Sequence, residues 1–240
     1  PDPGRLGGAG KNFYRLLRDV DVESFDYVAF ADQDDLWLPD KLARAVSVLS
    51  VGGFGGYSSD VLAFWPDGRE QILGKAHPQV RWDHLFEAAG PGCTYVLSTC
   101  LAKAVKELIV DRWADVQQVT LHDWLVYAIA RSSGYTWYID PVPSMRYRQH
   151  HANVVGANSG WRALRARWAM VRSGWWFHQI LLISALCSHP WPVLNCKTAR
   201  RRFALLKLAY HARECRRRPR DKALFAVLCL AMFIVVKTDA

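Results

Sequence analysis

The sequence predicts an α/β fold, and three observations carry that prediction. A short β-rich apolar run, Tyr27 to Ala31, ends in a cluster of carboxylates, Asp32, Asp34 and Asp35. Pro39 then opens a helical pattern with Leu42, Val46 and Leu49 on one face, and shorter extended and helical runs keep alternating through residue 147. The 240 residues are 51% hydrophobic, enough to bury a sizeable core and too apolar for a disordered chain.

In open α/β sheets, ligands sit beyond the carboxyl ends of the strands. Three carboxylates within four residues repel one another there, so the stretch points to a hard divalent cation and a phosphorylated ligand. The plainer alternative is a polar strand-to-helix turn whose aspartates cap the helix.

Taken in order, residues 4 to 10 are glycine-rich and precede an amphipathic run, Phe13, Leu16, Leu17 and Val20. Those glycines either let backbone approach a phosphate or form a flexible lead. After the acidic strand and its helix, Gly52 to Gly56 make a turn. Tyr57 to Trp65 read as extended and close at the hairpin signal Asp67-Gly68. Residues 69 to 80 read as loop, and a short helix is expected over Trp82 to Ala88. Gly90-Pro91-Gly92-Cys93-Thr94 then feeds a β-rich run, followed by a helix from about Leu101 to Val110. That loop is either an ordinary turn or one whose amides face a diphosphate or sugar.

Leu121, Leu125, Ala128 and Ile129 share one helical face, so a helix runs to about Ser132 and stops near Gly134. Thr120 and Asp123 have the spacing of a capping box, which gives Asp123 a structural reading beside any chemical one. Tyr135 to Ile139 and Ser144 to Tyr147 are extended and lead to Arg148-Gln149-His150. A neutral imidazole there suits a metal, although a lone histidine is more often a surface or hydrogen-bonded residue.

From Trp161 the character changes: tryptophans recur at helical spacing among arginines, and Arg200 to Arg220 is strongly basic. Two apolar runs, Trp176 to Cys187 and Ala223 to Val236, are shorter than the ~20 residues of a spanning helix. Such helices either lie in a membrane interface or pack on the main domain with a solvated basic face. The formal charge of +9 fits an anionic membrane or ligand. No nucleic-acid-binding module is recognisable. Six cysteines without a CxxC pair fit neither a zinc site nor a disulfide scaffold, and read as buried free thiols in a reducing compartment. The sequence starts at Pro1, without Met or a signal peptide, and reads as a fragment of a longer protein.

Four blocks taken together resemble the family 2 glycosyltransferases, most of all their bacterial rhamnosyltransferase-like branch. They are Phe30 to Leu42, Gly92-Cys93-Thr94, His122-Asp123-Trp124, and Tyr147-Arg148-Gln149-His150 with Asn153 and Gly156. The resemblance implies a GT-A, Rossmann-like nucleotide-diphospho-sugar transferase fold over residues 1–156, with a basic helical tail over 157–240. It also implies that the segment carrying the nucleotide-base site precedes Pro1. The implied reaction is an inverting, metal-assisted sugar transfer from a nucleoside-diphosphate donor, with dTDP-rhamnose or a similar hexose donor fitting the branch. The implied acceptor is a cell-surface glycan or lipid-linked hydroxyl, and the implied location is cytoplasmic, peripheral on the inner face of the plasma membrane.

By the same resemblance Asp32 and Asp34 hold Mg²⁺ or Mn²⁺, with His150 as a third ligand, and Asp123 is the general base. Asp35, Gly92, Cys93, Thr94, His122, Trp124 and Arg148 fall on donor- and acceptor-binding positions. A haloacid-dehalogenase-type phosphotransferase also carries Asp-x-Asp after a strand, but it needs Thr or Val where Leu36 stands and has no place for the later blocks.

Overall fold

The computed structural model describes residues 8–149, 173–188, 191, 194 and 201–235. Among these, eight strands form two four-stranded sheets. The first holds β1 (Tyr27–Ala29), β3 (Gly56–Ser59), β6 (Val96–Ser98) and β7 (Trp137–Asp140), in the order β1-β6-β3-β7. Strand β6 runs antiparallel to β1 and β3, whereas β3 and β7 are parallel. The second holds β2 (Leu36–Trp37), β4 (Val61–Phe64), β5 (Glu70–Leu73) and β8 (Met145–Arg148), in the order β2-β8-β4-β5. Here β4 is parallel to β8 and antiparallel to β5.

The chain steps directly from the first sheet into the second three times: β1 to β2, β3 to β4, and β7 to β8. The first crossing uses residues 30 to 35, so the acidic loop bridges the two sheets. The second crossing explains why Tyr57 to Trp65, expected as one extended run, is two strands. Asp60 breaks the run: its amide donates to Asp140 O (2.8 Å), and its carboxylate accepts from the amides of Lys75 (2.6 Å) and Ala76 (3.0 Å).

Nine helices of the described residues flank the sheets: α1 (Ala9–Asp19), α2 (Lys41–Gly52), α3 (Thr99–Asp111), α4 (Trp113–Val116), α5 (His122–Ser132), α6 (Trp175–Leu186), α7 (Arg201–Tyr210), α8 (Ala212–Cys215) and α9 (Pro219–Val235). Helix α1 packs against α3 and α5 through Phe13, Tyr14 and Leu17. The approach is close: a Cβ on Gly10 would lie 2.4 Å from Thr120 O, a distance no side chain tolerates against backbone. Helix α3 is capped by Ser98, whose hydroxyl accepts from the Leu101 amide.

Four local expectations differ from the structure. Residues 70 to 73, read as loop, form β5, because the turn at Gly68 (φ 86°) folds them back on β4. The helix expected over Trp82 to Ala88 is a single 3₁₀ turn, Asp83–Leu85. Helix α2 buries Lys41, Ala45 and Leu49 and leaves Leu42 exposed, because the Lys41 ammonium reaches inward to Cys93 O (2.6 Å). The capping box at α5 does not form. Instead α6 supplies the partner, Gln179 Oε1 accepting from the Thr120 amide (2.8 Å) while its Nε2 donates to Gln118 O (3.1 Å).

One apolar cluster runs from Phe13 and Tyr95 through α5 to Ile183, Leu208, Cys215 and Phe225, so the described tail helices share the core of residues 8–149. A buried ionic knot reinforces this join. Arg217, 3% exposed, pairs with Asp83 (3.3 Å) and Glu87 (3.7 Å) and donates to Ala88 O (2.5 Å). Asp83 also receives Arg131 (3.2 Å) and the Tyr127 hydroxyl (3.0 Å), both from α5. Buried charges are retained only when paired in this way.

Among the described cysteines Cys93, Cys187, Cys215 and Cys229 are buried free thiols, whereas Cys100 is exposed. No described helix is long and apolar enough to cross a membrane.

Candidate active site

The carboxylates at the end of β1 are held on short tethers. Phe30 N donates to Tyr95 O (2.9 Å), which fixes where the strand stops, and β2 then pairs Leu36 with Arg146 and Trp37 with Met145. Between these anchors Asp32 and Asp35 turn inward. A ligand atom from each lies within 4.8 Å of the other and of the Cys93 thiol. Asp34 stands outside that group. The Asp35 carboxylate accepts from the Arg148 amide (2.9 Å), and the Arg148 guanidinium donates to Asp34 O (2.9 Å), so β8 clips the acidic loop from the other sheet.

Burial raises the pKa of both Asp32 and Asp35, and neighbouring carboxylates raise each further. The buried Oδ2 of Asp35 has no hydrogen-bond partner among the described residues. An orphaned carboxylate oxygen beside a second carboxylate fits an oxygen-ligated divalent cation. The Cys93 thiol fits less well: it is soft, and burial followed by the charges of Asp35 and Asp32 pushes its pKa well up.

The loop before β6 supplies the next wall. Gly92–Thr94 form a 3₁₀ turn, with Thr94 Oγ1 donating to Pro91 O (2.7 Å) and Lys41 held on Cys93 O. Lys41 also lies over the Trp37 ring (3.6 Å), and burial lowers its pKa to about 8. The loop presses on the start of α5: a Cβ on Gly92 would fall 2.4 Å from His122 Nε2 and 3.2 Å from Asp123 Cβ. Glycine is therefore required by space.

His122 stacks on Phe13 (centroids 3.9 Å apart, planes at 11°). Burial lowers its pKa to about 4, against the opposing charge of Asp32, so the ring is neutral at pH 7. Its buried Nε2 has no partner among the described residues. Asp123 lies in the first turn of α5 and is part-exposed. Burial nevertheless raises its pKa to about 6, while the Trp124 amide (2.8 Å) and the charge of Lys75 pull it down. The Tyr95 hydroxyl donates to Asp123 O (3.2 Å) and accepts from Ala89 N (3.0 Å), fixing the backbone beneath this carboxylate. Trp124 points into the core, 3% exposed, its indole N–H donating to His84 O (3.0 Å), and braces the helix from within.

The structure thus brings Asp32, Asp35 and Cys93 together, sets the Gly92–Thr94 turn against His122 and Asp123, and ties Arg148 to the acidic loop. His150 lies outside the described residues. Sequence reading missed Lys41 and Tyr95. Only Lys41 left a local signal, as a lysine immediately after the helix-opening Pro39-Asp40.

Two four-stranded sheets flanked by helices, with an acidic strand end and a part-buried carboxylate at the start of α5, fit a glycosyltransferase of GT-A-like architecture. The chain belongs to the rhamnosyltransferase-like glycosyltransferases. It is 40% identical, over 235 residues, to dTDP-rhamnosyl transferase RfbG of Shigella flexneri, a match covering 98% of this chain and 80% of that protein. No family model matches the sequence.

Proposed function

We propose that this chain transfers a rhamnosyl group from dTDP-rhamnose to a hydroxyl of a cell-surface glycan or lipid-linked acceptor, inverting the anomeric carbon as family 2 enzymes do. The observation that carries the reading is the Gly92–Cys93 turn, which meets the Asp32–Asp35 pair through the Cys93 thiol and abuts Asp123 through Gly92, where burial raises the Asp123 pKa to about 6. A base of that strength is ionised at neutral pH yet basic enough to take a proton.

In this reading Asp123 accepts the proton of the acceptor hydroxyl as that oxygen attacks the anomeric carbon from the face opposite the leaving diphosphate. A single displacement of this kind inverts the centre and needs no sugar–enzyme bond. Tyr95 and Gly92 hold Asp123 in place, and Phe13 keeps the neutral His122 ring against it. Asp32 and Asp35 are the residues that would hold Mg²⁺ or Mn²⁺, with Asp34 and His150 proposed as further ligands from family resemblance. Such a cation, when bound, neutralises the diphosphate as negative charge builds on it. In the same reading Arg148 and the Gly92–Thr94 turn contact the donor.

A peripheral seat on the inner face of the plasma membrane belongs to the same proposal. Its support is the outward face of α9, where Leu224, Val227, Leu230 and Ile234 are exposed at helical spacing beyond the exposed Arg218 and Arg220.

The test is incubation with dTDP-rhamnose, Mg²⁺ and a membrane-extracted acceptor, reading dTDP release and the anomeric configuration of the product. D123N should abolish turnover while Mg²⁺-dependent dTDP binding persists. Retained turnover would overturn the role of Asp123, and retained configuration in the product would overturn the single displacement.

A further inference from the structure

Lys41 is the first residue of α2 and is 1% exposed, although a lysine on a helix ordinarily carries its ammonium into water. The position is doubly unfavourable for a cation. Burial strips the ammonium of its hydration, and the N-terminal end of a helix dipole repels positive charge. The ammonium is held by the Cys93 carbonyl (2.6 Å) and by the face of the Trp37 ring (3.6 Å to its centroid), and neither partner is a carboxylate. An apolar side chain of similar length would fill the same space without the desolvation cost. Stability of the fold therefore does not account for a lysine here, and what it holds together does.

Its two partners belong to different parts of the candidate site. Trp37 lies in β2, two residues past Asp35, so its ring is part of the anchor that ends the acidic loop. Cys93 is the middle residue of the 3₁₀ turn Gly92–Thr94. That turn has two shoulders. On one, the Cys93 thiol lies within 4.8 Å of ligand atoms of Asp32 and Asp35. On the other, Gly92 abuts α5, where an added Cβ would stand 2.4 Å from His122 Nε2 and 3.2 Å from Asp123 Cβ.

The bonds inside the turn fix its shape but not its place. Thr94 N and Oγ1 both donate to Pro91 O (3.0 and 2.7 Å), and Tyr95 N donates to Gly92 O (2.9 Å). The Lys41 ammonium is what fastens the turn to the β2–α2 side. A shift of the turn would alter the span between the carboxylate pair and Asp123, and in-line displacement is sensitive to errors of about 1 Å.

We propose that Lys41 is a positioning residue for the transfer step: by holding the Gly92–Thr94 turn at the Cys93 carbonyl, it sets the distance between the Asp32–Asp35 pair and Asp123. The proposal rests on the glycosyltransferase reading above.

Lys41→Met, which keeps most of the stem and removes the ammonium, tests it in two assays on the full chain. The first follows dTDP release from dTDP-rhamnose with Mg²⁺ and membrane-extracted acceptor, with rates expressed per dTDP-binding site counted by calorimetry. Here kcat should fall by roughly tenfold to a hundredfold while the Kd for dTDP with Mg²⁺ stays within about twofold of wild type. Counting sites removes any loss caused by misfolded protein. The second assay follows alkylation of the buried Cys93 thiol by iodoacetamide, read by mass spectrometry of its peptide, and needs no activity. Cys93 should react roughly tenfold or more faster in Lys41→Met, since a loosened turn opens more often. If Lys41→Met does not fold, Trp37→Leu on the exposed edge strand replaces it. Losing the ring beneath the ammonium should lower kcat by roughly twofold to fivefold and speed alkylation. Unchanged kcat per site, or unchanged alkylation, in the folded variant overturns the proposal. So does a Kd for dTDP that rises as far as kcat falls, because Lys41 would then serve the donor pair alone. A wild type that binds dTDP and Mg²⁺ but transfers nothing overturns the glycosyltransferase reading, and alkylation alone then decides whether Lys41 holds the turn.

Discussion

Replacing Gly92 by alanine tests the central contact of the cleft. The added Cβ would lie 2.4 Å from His122 Nε2, where ordinary contact begins near 3.4 Å, so about 1 Å of displacement must be found. The His122 ring cannot yield freely because Phe13 stacks on it at 3.9 Å. The turn cannot yield freely either, since Lys41 holds Cys93 O at 2.6 Å. Overpacking of this kind costs about 1–3 kcal/mol, which in a chain of this size lowers Tm by about 2–12 °C. A catalytic group displaced by about 1 Å loses on the order of 100-fold in rate. G92A should therefore melt earlier by thermal denaturation and show a kcat near 1% of wild type in a dTDP-release assay. A variant with kcat within about twofold of wild type would refute the reasoning, because the turn would then not set the position of Asp123.

Arg217→Met should destabilise by about 1.5–3 kcal/mol, since Asp83 and Glu87 each lose one of two cations and keep Arg131 and Arg216, and urea unfolding measures this. kcat/KM should fall as pH drops through about 6, because burial raises the Asp123 pKa to that value and only the ionised carboxylate accepts a proton. A pH–rate profile without an acid limb near 6 would remove Asp123 as the base. Asp35→Asn should raise the Mg²⁺ concentration for half-maximal activity by roughly tenfold or more, and EDTA should silence the wild-type enzyme reversibly.

The parts of the site that were legible in the sequence are those that chemistry forces into short segments. Three carboxylates at a strand end repel one another wherever the strand sits, and a glycine pair before a β-rich run marks a loop without reference to its neighbours. What stayed hidden was set by distant pairing. Nothing near Asp60 announces that its carboxylate will grip the amides of Lys75 and Ala76, and so the split of Tyr57 to Trp65 between two sheets was invisible. Helix α2 rotated away from its apolar stripe because a lysine found a buried carbonyl across the fold. Helical periodicity assumes that lysine faces water. The capping box failed for a similar reason: Gln179, some sixty residues on, offered the Thr120 amide a better partner than its own neighbour could.

The knot around Arg217 bears on how such chains can be inherited. Its guanidinium belongs to the helical part, while Asp83, Glu87 and the α5 residues that complete it belong to the sheet-bearing part. Recombination between relatives with a crossover between the two parts would bring together an arginine and carboxylates that had not been selected as a set. Exchange of the helical segment is then tolerated only between lineages that keep both ends of the knot, so the two parts should vary together.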